Sequence, residues 1–125
     1  MEMKIKKCVI VTGGRDYQKR SRVYATLDAA RPDLVIEGGA TGADQLARDW
    51  ADERGVHRAT VPALWKKFDR AAGPMRNTVM VEILKAFSGS GRECVVYAFP
   101  GGRGTASCVS IATDAGLYVE EVPNE

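Results

Sequence analysis

Short unbroken apolar runs along the chain alternate with stretches whose apolar residues recur every three or four positions. The run Cys8-Val9-Ile10-Val11-Thr12 closes at Gly13-Gly14, and Leu34-Val35-Ile36-Glu37 closes at Gly38-Gly39. A run without polar alternation suits a strand buried on both faces, as in a parallel sheet. Elsewhere the period changes. Ala43, Leu46, Ala47, Trp50 and Ala51 repeat at helical spacing, which predicts a helix over 43–54 with one apolar stripe and Gly55 as its left-handed stop. Further helices are predicted over 21–30, 75–87 and 105–115, the middle one burying Val79, Met80, Ile83, Leu84 and Phe87. Further strands are predicted over 58–61, 94–99 and 117–122. Residues 62–74 read as a long loop, with Pro74 starting the helix after it.

Strands alternating with helices imply right-handed crossovers and a parallel sheet. The expected fold is α/β: a Rossmann-like three-layer sandwich with a five-stranded, mostly parallel sheet in the order 3-2-1-4-5 and helices on both faces. No repeat, linker or low-complexity block divides the chain, so residues 1–125 read as a single domain. In that strand order the topology switches between strands one and four, where a crevice opens at the carboxyl ends. The loops at 13–14 and 101–104 would flank that crevice, with 38–42 beside it.

Composition narrows the function classes. Hydrophobic residues make up 45% of the chain and charged residues 27%, the balance of an ordinary globule. No run approaches the ~20 apolar residues of a membrane span, and the first residues lack the pattern of a signal peptide. A cytoplasmic protein is expected. Three cysteines without CxxC spacing and one histidine argue against a zinc site or a disulfide framework. Neither metal nor cofactor is expected. A net charge of +2 argues against nucleic acid, and the basic residues crowded between Lys4 and Arg22 read mainly as solvated surface.

The chemistry rests on the glycine loops. Gly38-Gly39-Ala40-Thr41-Gly42-Ala43-Asp44 leaves a strand and opens the strongest helix. Glycines let a ligand approach the backbone, and a helix N-terminus offers unpaired N–H groups and a positive dipole end. That suits phosphate, with Asp44 capping N–H groups or accepting from a ribose hydroxyl; a tight turn plus a cap reads equally well. Pro100-Gly101-Gly102-Arg103-Gly104-Thr105 repeats the arrangement with a cation and a hydroxyl added. This second loop is neither a Walker A nor a GxGxxG fingerprint, because no Gly-Lys-Ser/Thr follows and the glycine spacing differs. After the first strand, Arg15 and Asp16 can pair with each other on the surface, or Arg15 can clamp phosphate while Tyr17 packs against a base or ribose. Trp65 is either core or a stacking platform. Arg76 and Asn77 fall in the first turn of the predicted 75–87 helix, where a cation opposes the dipole unless a phosphate offsets it. Cys108 reads as buried packing, since no histidine partners it.

The segments TGGRDY (12–17), EGGATGAD (37–44), AAGPMRN (71–77) and PGGRGTA (100–106) together resemble the YspA-like, cpYpsA-related branch of the SLOG superfamily, over roughly residues 8–120. That branch is similar to the Rossmann-like domains of DprA and of the LOG phosphoribohydrolases. The resemblance implies a nucleotide or nucleotide-derived ligand, in some members as a signal. The ligand-binding candidates are Gly13, Gly14, Arg15, Asp16, Gly38, Gly39, Thr41, Gly42, Asp44, Arg76, Asn77, Gly101, Gly102, Arg103, Gly104 and Thr105. LOG enzymes pair an Arg-Lys on one helix with PGGxGTxxE. Arg76 matches that arginine, but Asn77 stands where the lysine would be, and Ala106-Ser107-Cys108-Val109 follows Thr105 without a glutamate. The expected function is therefore binding, by sensing or sequestration, of a phosphorylated nucleotide-derived small molecule. The alternative is hydrolysis of a nucleotide's N-glycosidic bond, with Arg76 holding phosphate and Glu37 as acid/base. A DprA-like DNA-binding role ranks third. Related folds often form homo-oligomers.

Overall fold

The structure is a computed structural model that describes residues 4–124. Five strands, β1 (Lys7–Thr12), β2 (Leu34–Glu37), β3 (His57–Thr60), β4 (Glu93–Ala98) and β5 (Val119–Glu121), form one sheet in the order β3-β2-β1-β4-β5. All its pairings are parallel, so the sheet is wholly rather than mostly parallel. The helices are α1 (Arg20–Ala30), α2 (Ala43–Arg54), α3 (Trp65–Phe68), α4 (Ala72–Gly89) and α5 (Arg103–Asp114). Successive residues of a strand face opposite sides, and central β1 feeds both cores. Val9 and Val11 pack with Val23 and Leu27 of α1 and with Leu46 and Trp50 of α2. Cys8 and Ile10 pack with Met80 and Leu84 of α4 and with Cys108 and Ala112 of α5. Each fully buried Ile or Leu contributes roughly 1.5–3 kcal/mol relative to exposure. The unbroken apolar runs are thus explained: helices cover both faces.

Two sequence expectations need correcting. Residues 62–74 are largely helical rather than a loop: α3 is followed by a 3-10 turn (Asp69–Ala71), and the two meet where Asp69 adopts a left-handed φ of 50°. α4 then starts at Ala72, which makes Pro74 its third residue. Proline is tolerated there because first-turn N–H groups have no intrahelical acceptor. Arg76 and Asn77 consequently sit in the second turn. Val79, expected in the core, is 48% exposed, while Asn77, Met80, Val81 and Leu84 form the buried stripe. Val79, Met80 and Val81 are consecutive, and at about 100° per residue three neighbours cannot share one face.

Candidate functional site

Three loops meet where the strand order reverses. The Gly14 N–H donates to the Pro100 carbonyl at 2.9 Å, and the Ala43 N–H donates to the Gly14 carbonyl at 3.1 Å. Thr41 Oγ1 donates to the Arg15 carbonyl at 2.9 Å. Glycine makes this closeness possible. A β-carbon on Gly101 would stand 2.6 Å from the Gly14 nitrogen, and one on Gly42, where φ is 75°, would collide with the Gly14 carbonyl oxygen. Gly42 and Gly101, nominated as ligand contacts, are therefore required by loop-to-loop packing. Gly102 and Gly104 differ, because a β-carbon on either would meet nothing within 4 Å.

Beside these loops lies a crevice of about 500 Å³. Positions 13–15 and 102–105 line it with Asp44, Arg76 and Asn77, so most nominated residues converge. Four arginines, Arg15, Arg70, Arg76 and Arg103, face one carboxyl group, Asp44, across it. The Arg15 guanidinium lies over the Trp65 ring, 5.1 Å from its centroid. Trp65 is 46% exposed, which removes its core alternative. Trp65 and Arg70 both fall within 62–74, which reads from the sequence as a loop, and a loop carries no period from which to read direction. Asn77, only 2% exposed, ties the site together. Its Nδ2 donates to the Gly104 carbonyl at 3.2 Å, and its Oδ1 accepts from Arg76 Nε at 2.9 Å. Arg76 Nη1 donates to the Gly38 carbonyl at 2.6 Å, so Arg76 is held between the β2–α2 loop and the start of α5.

The two glycine-rich helix starts are not equivalent. At α2, the Ala43 N–H is taken by Gly14, and Asp44 Oδ2 accepts from Gly38 and Ala40 at 3.1 and 3.2 Å. The Gly39 N–H donates to Glu37 Oε1 at 2.6 Å. Most donors of that loop are therefore internally satisfied. At α5, Gly102 caps without a side-chain bond, and the Ala106 N–H is bonded to the Gly102 carbonyl at 3.1 Å. Among the described residues no group accepts from the N–H groups of 102–105. The α5 start is the one presenting free donors.

Burial pushes the Asp44 carboxyl up to about 6, aided by the Glu37 charge and opposed by the Ala40 and Gly38 N–H groups and the Arg76 cation. No described group donates to its Oδ1. Glu37, the nominated acid/base, is fully buried and engaged otherwise. Its Oε1 pairs with Arg48 at 2.9 Å, Thr60 Oγ1 donates to its Oε2, and Glu37 does not line the crevice. Asp16 is exposed and lies outside the crevice wall. Tyr17 turns inward against Phe99, with ring centroids 5.5 Å apart, so it packs core rather than a base. Burial raises the Cys108 thiol to about 11, which keeps it protonated and structural.

A second lobe of about 350 Å³ adjoins the crevice. Gly38, Gly39, Thr41, Pro62 and Ala63 line it, and it shares Arg15, Ala40, Trp65 and Arg76 with the first. Among the described residues no helix is long and apolar enough to cross a membrane, and no group of three His, Cys, Asp or Glu side chains could hold a metal ion.

The family model described as YspA, cpYpsA-related SLOG family matches residues 8–68, from β1 through α3. The Gene 61 protein of Mycobacterium phage D29 is 34% identical over 130 residues, covering 89% of this chain and 92% of that protein. The family match takes in the first two glycine loops and Trp65. α4 and α5, with Arg76, Asn77 and Arg103, lie beyond it.

Proposed function

The chain belongs to the YspA, cpYpsA-related SLOG family, and from that premise we propose that it binds a phosphorylated nucleotide derivative in the arginine-lined crevice. The observation that carries this reading is the meeting of four arginines with the open N-terminus of α5 around a single carboxyl group. A phosphate seated on the N–H groups of 102–105 gains the helix-dipole end and charge-assisted bonds from Arg103 and Arg76. Asn77 positions both Arg76 and the first turn of α5, so the anion meets a preorganised set of donors. Trp65 offers a ring face for the base, and Asp44 Oδ1 an acceptor for a ribose hydroxyl. The polar requirements of a nucleotide are met from one wall to the next.

A second reading, hydrolysis of the N-glycosidic bond, is favoured by Asp44: a desolvated carboxyl titrating near pH 6 is suited to proton transfer at neutral pH. The acid/base candidate moves from Glu37 to Asp44. Calorimetric titration with nucleoside 5′-monophosphates of the four common bases, with the nucleosides as controls, tests binding, while chromatography follows free base. Saturating a ligand at a hundredfold excess over Kd adds about 2.7 kcal/mol of stability, and the melting temperature should rise by several degrees. Binding of a monophosphate but not its nucleoside, with no base released, is expected. Equal responses to both would defeat a phosphate-centred site. Sustained base release that disappears in Asp44→Asn would establish the hydrolase.

A further inference from the structure

The crevice and its neighbouring lobe share a border that carries two cations. Arg15 and Arg76 each line both spaces, as do Ala40 and Trp65. Arg76 is fixed there from two directions, by the Gly38 carbonyl and by Asn77 Oδ1, and the Thr41 hydroxyl holds the Arg15 carbonyl. The guanidinium of Arg15 rests on Trp65 without an ion-pair partner among the described residues. Two arginines at the junction of two cavities form a bridge for negative charge. Through Asn77, the same Arg76 is two hydrogen bonds from the Gly104 carbonyl in the first turn of α5. Anion-binding groups therefore run from α5 to the junction, a path that suits more than one phosphate.

The far lobe has a different chemistry. Apart from the shared Arg15, Ala40, Trp65 and Arg76, its wall is Gly38, Gly39, Thr41, Pro62 and Ala63, residues that add a hydroxyl and backbone polar groups but no further charge or aromatic ring. At about 350 Å³ it has room for a sugar. It has neither the cations for a second phosphate cluster nor a second aromatic face for a base. We infer that the ligand spans both lobes: a nucleoside diphosphate carrying a second sugar, with its nucleoside beside Trp65, its diphosphate along Arg103, Arg76 and Arg15, and its distal sugar over Gly38, Gly39 and Ala63. This rests on the nucleotide-binding reading of the crevice and narrows it to one ligand class.

The test compares, by calorimetry on the full chain, AMP with ADP-ribose, GMP with GDP-mannose and UMP with UDP-glucose. For the preferred base, the diphosphate sugar should bind at least tenfold more tightly than the monophosphate. Ala63→Trp fills the far lobe and should abolish that gain while leaving monophosphate affinity within about twofold. Ala63→Leu, a smaller intrusion, should remove part of the gain, and unchanged melting temperatures verify that both variants fold. Equal affinity for monophosphate and diphosphate sugar, or a gain that survives Ala63→Trp in the folded protein, would overturn the two-lobe ligand while leaving the nucleotide site intact. Binding by none of the six compounds would instead overturn the nucleotide-binding reading itself.

Discussion

Arg76 carries much of the proposed binding because its guanidinium is already aimed. Nε is held by Asn77 and Nη1 by the Gly38 carbonyl, so little side-chain entropy remains to be lost on binding. Arg76→Ala should weaken binding of the preferred nucleoside monophosphate ten- to a hundredfold, since a charge-assisted hydrogen bond is worth about 1.5–3 kcal/mol. Arg76→Lys restores the charge but lacks the rigid planar fork whose separate nitrogens reach Asn77 and Gly38, so titration should show only partial recovery. Full recovery by lysine would mean that charge alone matters and positioning does not. The family motif exposed Arg76 in the sequence, although the first-turn dipole argument for it falls with the start of α4 at Ala72. The choice between carboxylates was harder to read. Ile36 faces the α4–α5 side, and the pleat therefore turns Glu37 toward α2, where Arg48 meets it. Nothing adjacent in sequence announces that face.

At the level of elements, α2 and α5 show how one local motif serves two purposes. Both follow a strand through a glycine-rich turn, and both read as phosphate cradles. In the fold, the α2 start is stitched to the β1–α1 loop and to Asp44, whereas the α5 start is open. Substitution separates the roles. Gly104→Ala places a methyl group in empty space inside a helix, so stability should rise by about 0.4–1 kcal/mol. The same methyl group crowds any anion on the N–H groups of 102–105, and nucleotide binding should weaken at least severalfold. Gly101→Ala meets Thr105 Oγ1 and the Gly14 nitrogen and should destabilise the fold outright. Thermal melts and titrations on the two variants read these effects apart; a Gly104→Ala protein that binds as well as wild type would move the phosphate elsewhere. The strands, the sheet order and the helices at 43–54 and 105–115 were legible because hydrophobic period and glycine stops are local signals. The reason for each glycine was not, because it depends on which distant backbone lies against it. The helical nature of 65–71 was hidden too, its few residues making too short a stretch to establish a period.

For the molecule as a whole, the site carries a cost that pH should reveal. The Asp44 carboxyl is raised from 3.8 to about 6 on folding, chiefly by burial, so the folded state holds its proton more tightly than the unfolded chain does. Between those values the native state binds the extra proton, and stability falls as pH rises. The favourable contribution is complete below the unfolded value and gone once pH has passed the folded one. A shift of that size corresponds to about 3 kcal/mol, the desolvation of a carboxylate that the fold tolerates at neutral pH. Asp44→Asn keeps an oxygen acceptor for the Gly38 and Ala40 N–H groups but has no charge to desolvate. The variant should therefore melt several degrees above wild type at pH 7.5, and its advantage should shrink steadily toward pH 4. Other carboxylates, such as Asp28 beside Arg54 and Asp52 beside Arg58, are held below their ordinary range and lose their stabilising effect in acid. Both proteins share those pairs, so the difference between the two melting curves isolates Asp44. Thermal denaturation of both at half-unit steps from pH 4 to 8 provides the measurement. A constant offset across that range would show that Asp44 does not titrate differently on folding. A variant less stable at pH 7.5 would show that the ionised carboxylate is a net support of the loop.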